Sequence, residues 1–222
     1  MFGKKREQDL DKAQQLMIED QLKARGIKNE QLLQVMGQLP RHLFVHPDQH
    51  NLAYSDKPLP IGQQQTISQP YIVAHMTELL NLPADGNVTV LEVGTGSGYQ
   101  AAVLSQLVKQ VYTVERILAL AENAHDVFKK LALTNIKQTV TDGGYGWSNH
   151  APFDRIIVTA AGPTIPPPLV DQLADDGVLI APVGGRNNQQ LIRLTRQGAR
   201  IQHENLTAVL FVPLRGEHGW QK

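Results

Sequence analysis

The sequence predicts an α/β protein built on a doubly wound, mostly parallel sheet, with N-terminal helices before it and an antiparallel C-terminal edge after it. Three observations carry this. Apolar runs of strand length alternate with helix-length stretches from Val88 onward. The first run, Val88 to Val93, is the pattern of a strand covered on both faces of a parallel sheet. The tail departs from the alternation: Gln190 to Arg196 and Leu206 to Leu214 read as two strands joined through Gly198, with no helix between them.

The elements follow in order. Residues 9 to 25 place Leu10, Ala13, Met17, Ile18 and Leu22 near one face at helical spacing, and Gly26 closes the segment. Asn29 caps a short apolar helix ending near Gly37. From Tyr54 to Pro70 the pattern breaks, with Pro58, Pro60, Gly62 and three consecutive Gln before Thr66-Ile67-Ser68. This is expected to be a long irregular segment, and such loops inside compact domains tend to be functional. Pro70 suits the first turn of a helix running through Leu80, with Ser68 placed as a candidate N-cap. Further strands are expected at Gln110 to Glu115, Lys137 to Thr141, Arg155 to Ala160 and Val178 to Val183. Helices are expected at Gly98 to Val108, Ile117 to Leu133 and Pro168 to Leu173. No repeat or linker divides the chain. A single domain over residues 1–222 is expected, with 1–53 a helical N-terminal extension and 54–222 the loop and the core.

The 222 residues suffice for one sizeable α/β domain. Twenty-one Lys and Arg balance 21 Asp and Glu, which leaves no electrostatic footprint for a polyanion, so nucleic acid is not an expected partner. The basic cluster Lys4-Lys5-Arg6 reads as a solvated, mobile end. The chain has no cysteine, which excludes disulfides, thiolate metal sites and a cysteine nucleophile. No metal site is expected. The N-terminus lacks the apolar core of a signal peptide, and no run approaches the ~18 apolar residues of a membrane span. The expected compartment is the cytoplasm and the expected state a monomer.

Gly94-Thr95-Gly96-Ser97-Gly98 lies directly between a buried strand and a helix. Glycine there lets the backbone approach a ligand and turn sharply into a helix N-terminus, although a tight strand–helix turn would use the same residues. Acids beyond the loop favour the ligand. Glu92 lies two residues before it, Glu115 ends the second strand and Asp142 follows the third, forming a row along the carboxyl edge where open α/β folds bind ligands. A carboxylate at Glu115 can accept hydrogen bonds from both hydroxyls of a ribose. The row suits a neutral nucleoside carrying a sulfonium and an amino acid better than a pyrophosphate, and the glycines run G-x-G-x-G where dinucleotide sites more commonly show G-x-G-x-x-G.

Four segments together resemble the protein-L-isoaspartate O-methyltransferase family in its bacterial form. They are Pro60 to Pro70, Val90 to Ala102, Ala151 to Ala161 and Val209 to Leu214, and the match runs in order from about Leu16. The glycine motif alone would imply only a class I methyltransferase; Thr66-Ile67-Ser68 and the terminal Phe211-Val212-Pro213-Leu214 make the likeness specific. The resemblance implies S-adenosyl-L-methionine as methyl donor, S-adenosyl-L-homocysteine as product, and isoaspartyl-containing proteins and peptides as substrates. It implies that Thr66, Ile67 and Ser68 close over donor and substrate carboxylate, with Ser68 the active-site serine, and that Asp142 and Gly143 hold the adenine. Two positions depart from the family pattern: Tyr71, where many members have His, and Thr141, where many have Gly.

An isoaspartyl residue leaves its α-carboxylate free, with a pKa of about 4 or lower, so it is ionised near neutrality. It needs no general base to attack a sulfonium methyl. Anion and cation become neutral products, so a desolvated site with close in-line positioning favours the reaction. Selectivity must then come from gripping the main chain. Leu206 to Leu214 is a candidate edge strand for β-augmentation, an ordinary covered edge being the alternative. Other readings are a small-molecule or nucleic-acid methyltransferase and a non-catalytic nucleotide-binding module. Amino-directed nucleic-acid enzymes usually carry Asn or Asp before Pro-Pro-Tyr after the fourth strand, where this chain has Thr159-Ala-Ala-Gly-Pro163.

Overall fold

The computed structural model describes residues 2–221, and the backbone alone for residues 2–6, so the basic side chains of Lys4, Lys5 and Arg6 lie outside the described residues. Helix α1 (Phe2–Leu16) widens into a π-helical stretch, Met17–Leu22, and tightens into a 3-10 turn, Lys23–Arg25. Gly26 then ends it with φ +91°, a left-handed conformation that glycine takes without a Cβ clash. Met17, Ile18 and Leu22 are buried, as their spacing requires, while Leu10 and Ala13 pack partly buried against the same core. Gln14 is buried too. Its amide donates to the carbonyls of Met36 (2.9 Å) and Leu39 (2.8 Å), and its oxygen accepts from Tyr54 Oη (3.1 Å), tying α1 to α2 (Glu30–Gln38). Asn29 caps α2 by accepting from the Leu32 N–H at 2.9 Å.

The segment expected to be irregular is a β-hairpin. Strands β1 (Leu59–Gly62) and β2 (Gln65–Ile67) pair antiparallel around Gln63 and Gln64, whose φ values of +53° and +58° make a tight two-residue turn. Helix α3 (Pro70–Leu79) follows, with Pro70 in its first turn.

The main sheet contains β3 (Thr89–Val93), β4 (Gln110–Glu115), β5 (Ile136–Val140), β6 (Phe153–Val158), β7 (Leu173–Gly185), β8 (Asn188–Gln197) and β9 (Arg200–Val209). Their order is β5-β4-β3-β6-β7-β8-β9, parallel through β7 and antiparallel at β8 and β9. Helices α4 (Tyr99–Ser105), α5 (Leu118–Lys130) and α6 (Pro167–Asp171) connect the parallel strands. Side chains alternate across the sheet. Val90, Val111, Ile157 and Ile180 face one core with α4, Ala124, Phe128 and the N-terminal helices; Leu91, Val93, Ile156 and Leu179 face the other with Leu169, Leu173 and Leu214. Because the chain leaves β3 for β4 on one side and returns at β6 on the other, a crevice opens at the carboxyl ends of these strands.

The last strand lies earlier in the chain than the sequence predicts, at Arg200–Val209 in place of Leu206 to Leu214. β9 ends at Val209, Leu210 is 73% exposed, and the chain then crosses to the far side of β6. There the Ala161 N–H donates to the Val212 carbonyl and the Leu214 N–H to the Ala161 carbonyl, both at 2.8 Å. Pro213, lacking an N–H, sits between those contacts without leaving a donor unpaired. Asp154 lies within β6 and anchors β3, its carboxylate accepting from the N–H (2.7 Å) and hydroxyl (2.9 Å) of Thr89.

Candidate active site

The glycine loop leaves β3 by bending over the end of β4, with the N–H groups of Gly94 (2.8 Å) and Thr95 (3.2 Å) donating to the Val114 carbonyl. Its glycines serve different ends. A Cβ at Gly98 (φ +86°) would lie 2.7 Å from the Phe128 ring, so this residue is dictated by packing and turn geometry. At Gly96 (φ +53°) the nearest atom to such a Cβ is Ile61 Cδ1 at 3.6 Å, so conformation and an open cavity explain it, not packing.

Glu115, at the end of β4, is buried, and its carboxylate is held by three backbone donors: the N–H of Gly96 at 2.9 Å on one oxygen, and those of Arg116 (2.8 Å) and Ile117 (2.9 Å) on the other. This fixes the acid in one orientation before any ligand arrives. The hairpin faces it from across the crevice, and Thr66, Ile67, Ser68, Gly94, Thr95, Gly96, Ser97, Glu115 and Gly143 line one cavity of about 630 Å³. Ser68 does not cap α3. Gln69 occupies that position without a side-chain hydrogen bond, which leaves the Ser68 hydroxyl to the cavity.

Three expected site residues stand outside the lining. Gly98 turns the chain into α4. Glu92 is fully buried beneath the loop, on the same face of β3 as Val90, and accepts from Thr113 Oγ1, which in turn contacts Thr95 Oγ1 at 2.6 Å. Burial, assisted by the nearby Glu115 and opposed by the Thr113 hydrogen bond, pushes the Glu92 carboxyl up to about 8, and its other oxygen has no partner. It therefore supports the loop in its neutral form near pH 7. Asp142 accepts from the N–H of Gly144 and of Glu217, both at 2.9 Å, so the C-terminal segment covers it.

Several wall residues were not foreseen. Phe211 to Gly216, Trp220 and Gln221 close one side, Tyr99 and Gln100 form the base at the start of α4, and Thr159 and Ala160 follow β6. Tyr99 also packs into the core, its ring meeting Phe44 edge-on at 5.3 Å. The two departures from the family pattern lie away from the lining: Tyr71 stacks on His75 and carries Arg25 over its ring at 3.5 Å, and the Thr141 N–H donates to the Glu115 carbonyl at 3.0 Å.

The family model for protein-L-isoaspartate(D-aspartate) O-methyltransferase matches residues 12–219. The chain belongs to this family. Among isoaspartate methyltransferases similar to it, that of Desulfosudis oleivorans is 52% identical over 206 residues, covering 93% of this chain and 92% of its own. That of Dictyoglomus turgidum is 51% identical over 200 residues, 90% of each. A Plasmodium falciparum structure described as a protein-L-isoaspartate O-methyltransferase in complex with S-adenosyl-L-homocysteine superposes with a TM-score of 0.80 at 27% identity, over 91% of this chain and 98% of that one. The isoaspartate methyltransferase fold is thus shared along most of the chain. Among the described residues no helix is long and apolar enough to cross a membrane.

Proposed function

We propose that this chain methylates the free α-carboxylate of L-isoaspartyl, and D-aspartyl, residues in damaged proteins and peptides, using S-adenosyl-L-methionine. The observation that carries this is the cavity in which Thr66, Ile67 and Ser68 face the glycine loop and Glu115, in a chain of the isoaspartate methyltransferase family. The fit to the donor is physical. The cavity has the size of a nucleoside site, Gly96 leaves room where a Cβ would stand, and Glu115 is a preoriented acceptor for paired hydroxyls. When bound, the donor supplies a methyl group on a sulfonium, a good electrophile toward a carboxylate.

The chain's own residues bind, orient and exclude water. Gly94 to Ser97 supply the backbone floor and Glu115 the hydroxyl contacts; Gly143 lies against Val93, where a Cβ would come within 2.6 Å of Val93 Cγ1, and so leaves the adenine end flat. The Ser68 hydroxyl orients the incoming carboxylate. Because that carboxylate is already ionised, no side chain has to remove a proton. The apolar walls from Ile72, Val73, Met76 and Phe211 to Leu214 desolvate it. A substrate main chain held at this rim carries an isoaspartyl oxygen to the reacting position and leaves a normal aspartyl oxygen about one methylene away. The chain acts as one methyltransferase domain and a monomer in the cytoplasm, without nucleic acid or metal. The balanced charge supports the absence of a nucleic-acid partner, and the continuous core joining the N-terminal helices to the sheet supports the single domain. Product analysis tests the reading: an isoaspartyl peptide should yield S-adenosyl-L-homocysteine in an amount equal to methyl ester plus the methanol released from it, and S-adenosyl-L-homocysteine with neither ester nor methanol would reject it.

A further inference from the structure

Arg41 opens a 3-10 turn, Arg41–Phe44, and is completely buried. A guanidinium removed from water ordinarily meets a carboxylate. This one meets two carbonyls and a ring. Its Nε donates to the Ala53 carbonyl at 2.7 Å, its Nη2 to the Ser68 carbonyl at 2.6 Å, and its Cζ stands 4.6 Å from the Tyr99 ring centroid. Nη1 has no hydrogen-bond partner. The nearby Asp56 is committed elsewhere, pairing with Arg25 at 2.6 Å. Arg41 is thus a buried cation with no ion-pair partner among the described residues, and burial lowers its pKa.

Its position gives this meaning. Ser68 and Tyr99, the groups on two sides of the guanidinium, both line the cavity, while Arg41 itself does not. It lies one residue layer behind the wall, on the side where the substrate carboxylate is received. A buried positive charge without a counter-ion is relieved when an anion arrives, and low-dielectric surroundings extend its reach. We propose that Arg41 is a positioning residue for the substrate carboxylate: it fixes Ser68 in the wall and supplies the positive field that selects an anionic group there. This inference rests on the methyl-transfer reading above.

A bland staple between Ala53 and Ser68 would use the same hydrogen bonds, so the test must read charge. Binding of an isoaspartyl peptide and of its α-carboxamide twin is measured by calorimetry on enzyme saturated with S-adenosyl-L-homocysteine. Arg41→Gln removes the charge and keeps an N–H donor at the place of Nε, but is too short to replace the Nη2 bond to the Ser68 carbonyl. It should weaken the carboxylate peptide about tenfold more than the carboxamide, with KM rising and kcat falling as Ser68 loses its anchor. Donor affinity should not change, and Arg41→Lys should restore most of the preference. Equal weakening of both peptides, or a preference unaltered in Arg41→Gln, would overturn the inference. If Arg41→Gln does not fold, Arg41→Lys decides alone: retained preference supports the charge, lost preference refutes it. A wild-type enzyme that methylates no isoaspartyl peptide would sink the functional reading instead, which separates the two failures.

Discussion

Replacing Glu92 by Gln should remove a fall in the stability of this protein between pH 4.5 and about 8. Glu92 is sealed under the glycine loop with one oxygen unpartnered, and its folded pKa is about 8 against an ordinary 4.5. Between those values the folded state holds a proton that the unfolded state has released. Stability therefore falls as pH rises from 4.5 to about 8 and levels off above that. At about 1.4 kcal/mol per pH unit, the loss across this window is on the order of 4 kcal/mol. For a chain of this length that corresponds to roughly 8–16 °C in Tm. Gln has the shape of the neutral acid and does not titrate. Its extra buried N–H donors will cost about 1–3 kcal/mol, but equally at every pH. The diagnostic quantity is thus the slope of stability against pH, not its offset. Urea unfolding at intervals from pH 5 to pH 9 measures it, and the Glu92→Gln curve should be flatter than wild type by that amount. Parallel curves would show that Glu92 is ionised in the folded protein and would refute this reasoning.

Other residues give sharper functional readouts. Glu115→Ala should weaken S-adenosyl-L-methionine binding by about 1–3 kcal/mol in calorimetry, because ligand hydroxyls lose a charged acceptor; unchanged affinity would remove Glu115 from the site. Ser68→Ala should reduce turnover far more than donor affinity and leave Tm nearly untouched, since this serine caps no helix. A stability loss of about 1 kcal/mol with normal turnover would restore the cap role. Gln64→Gly at the hairpin turn should raise stability by about 1 kcal/mol in urea unfolding, because it relieves a left-handed conformation that Gln adopts at a cost.

The central strands β3 and β6 were readable in the sequence because burial on both faces imposes apolar runs. Glu115 was readable because it stands where the next strand, β4, stops. Glu92 also looked like a strand-end acid, but β3 continues to Val93, and two-residue periodicity turns Glu92 inward beside Val90. The hairpin was hidden by its own composition. Pro58, Pro60, Gly62 and three glutamines spell a loop, and the positive φ of Gln63 and Gln64 follows from strand pairing, not residue preference. Phe211 to Leu214 has strand-like residues, yet a long-range contact with Ala161 decides its place, which local patterning does not encode. Arginine in a sequence reads as surface, and only three-dimensional packing puts Arg41 under the site.

The position of one carboxylate decides whether this protein acts on a peptide. Two peptides identical in composition and charge, one with an isoaspartyl and one with an aspartyl residue at the same place, isolate that variable. Initial rates of methyl transfer from labelled S-adenosyl-L-methionine to each, measured side by side, test it directly. An oxygen misplaced by ~1 Å costs about a hundredfold in rate, so the isoaspartyl peptide should be labelled at least that much faster than its twin. Equal labelling of the two, or labelling of neither alongside efficient methylation of a metabolite or a nucleic acid, would contradict the account.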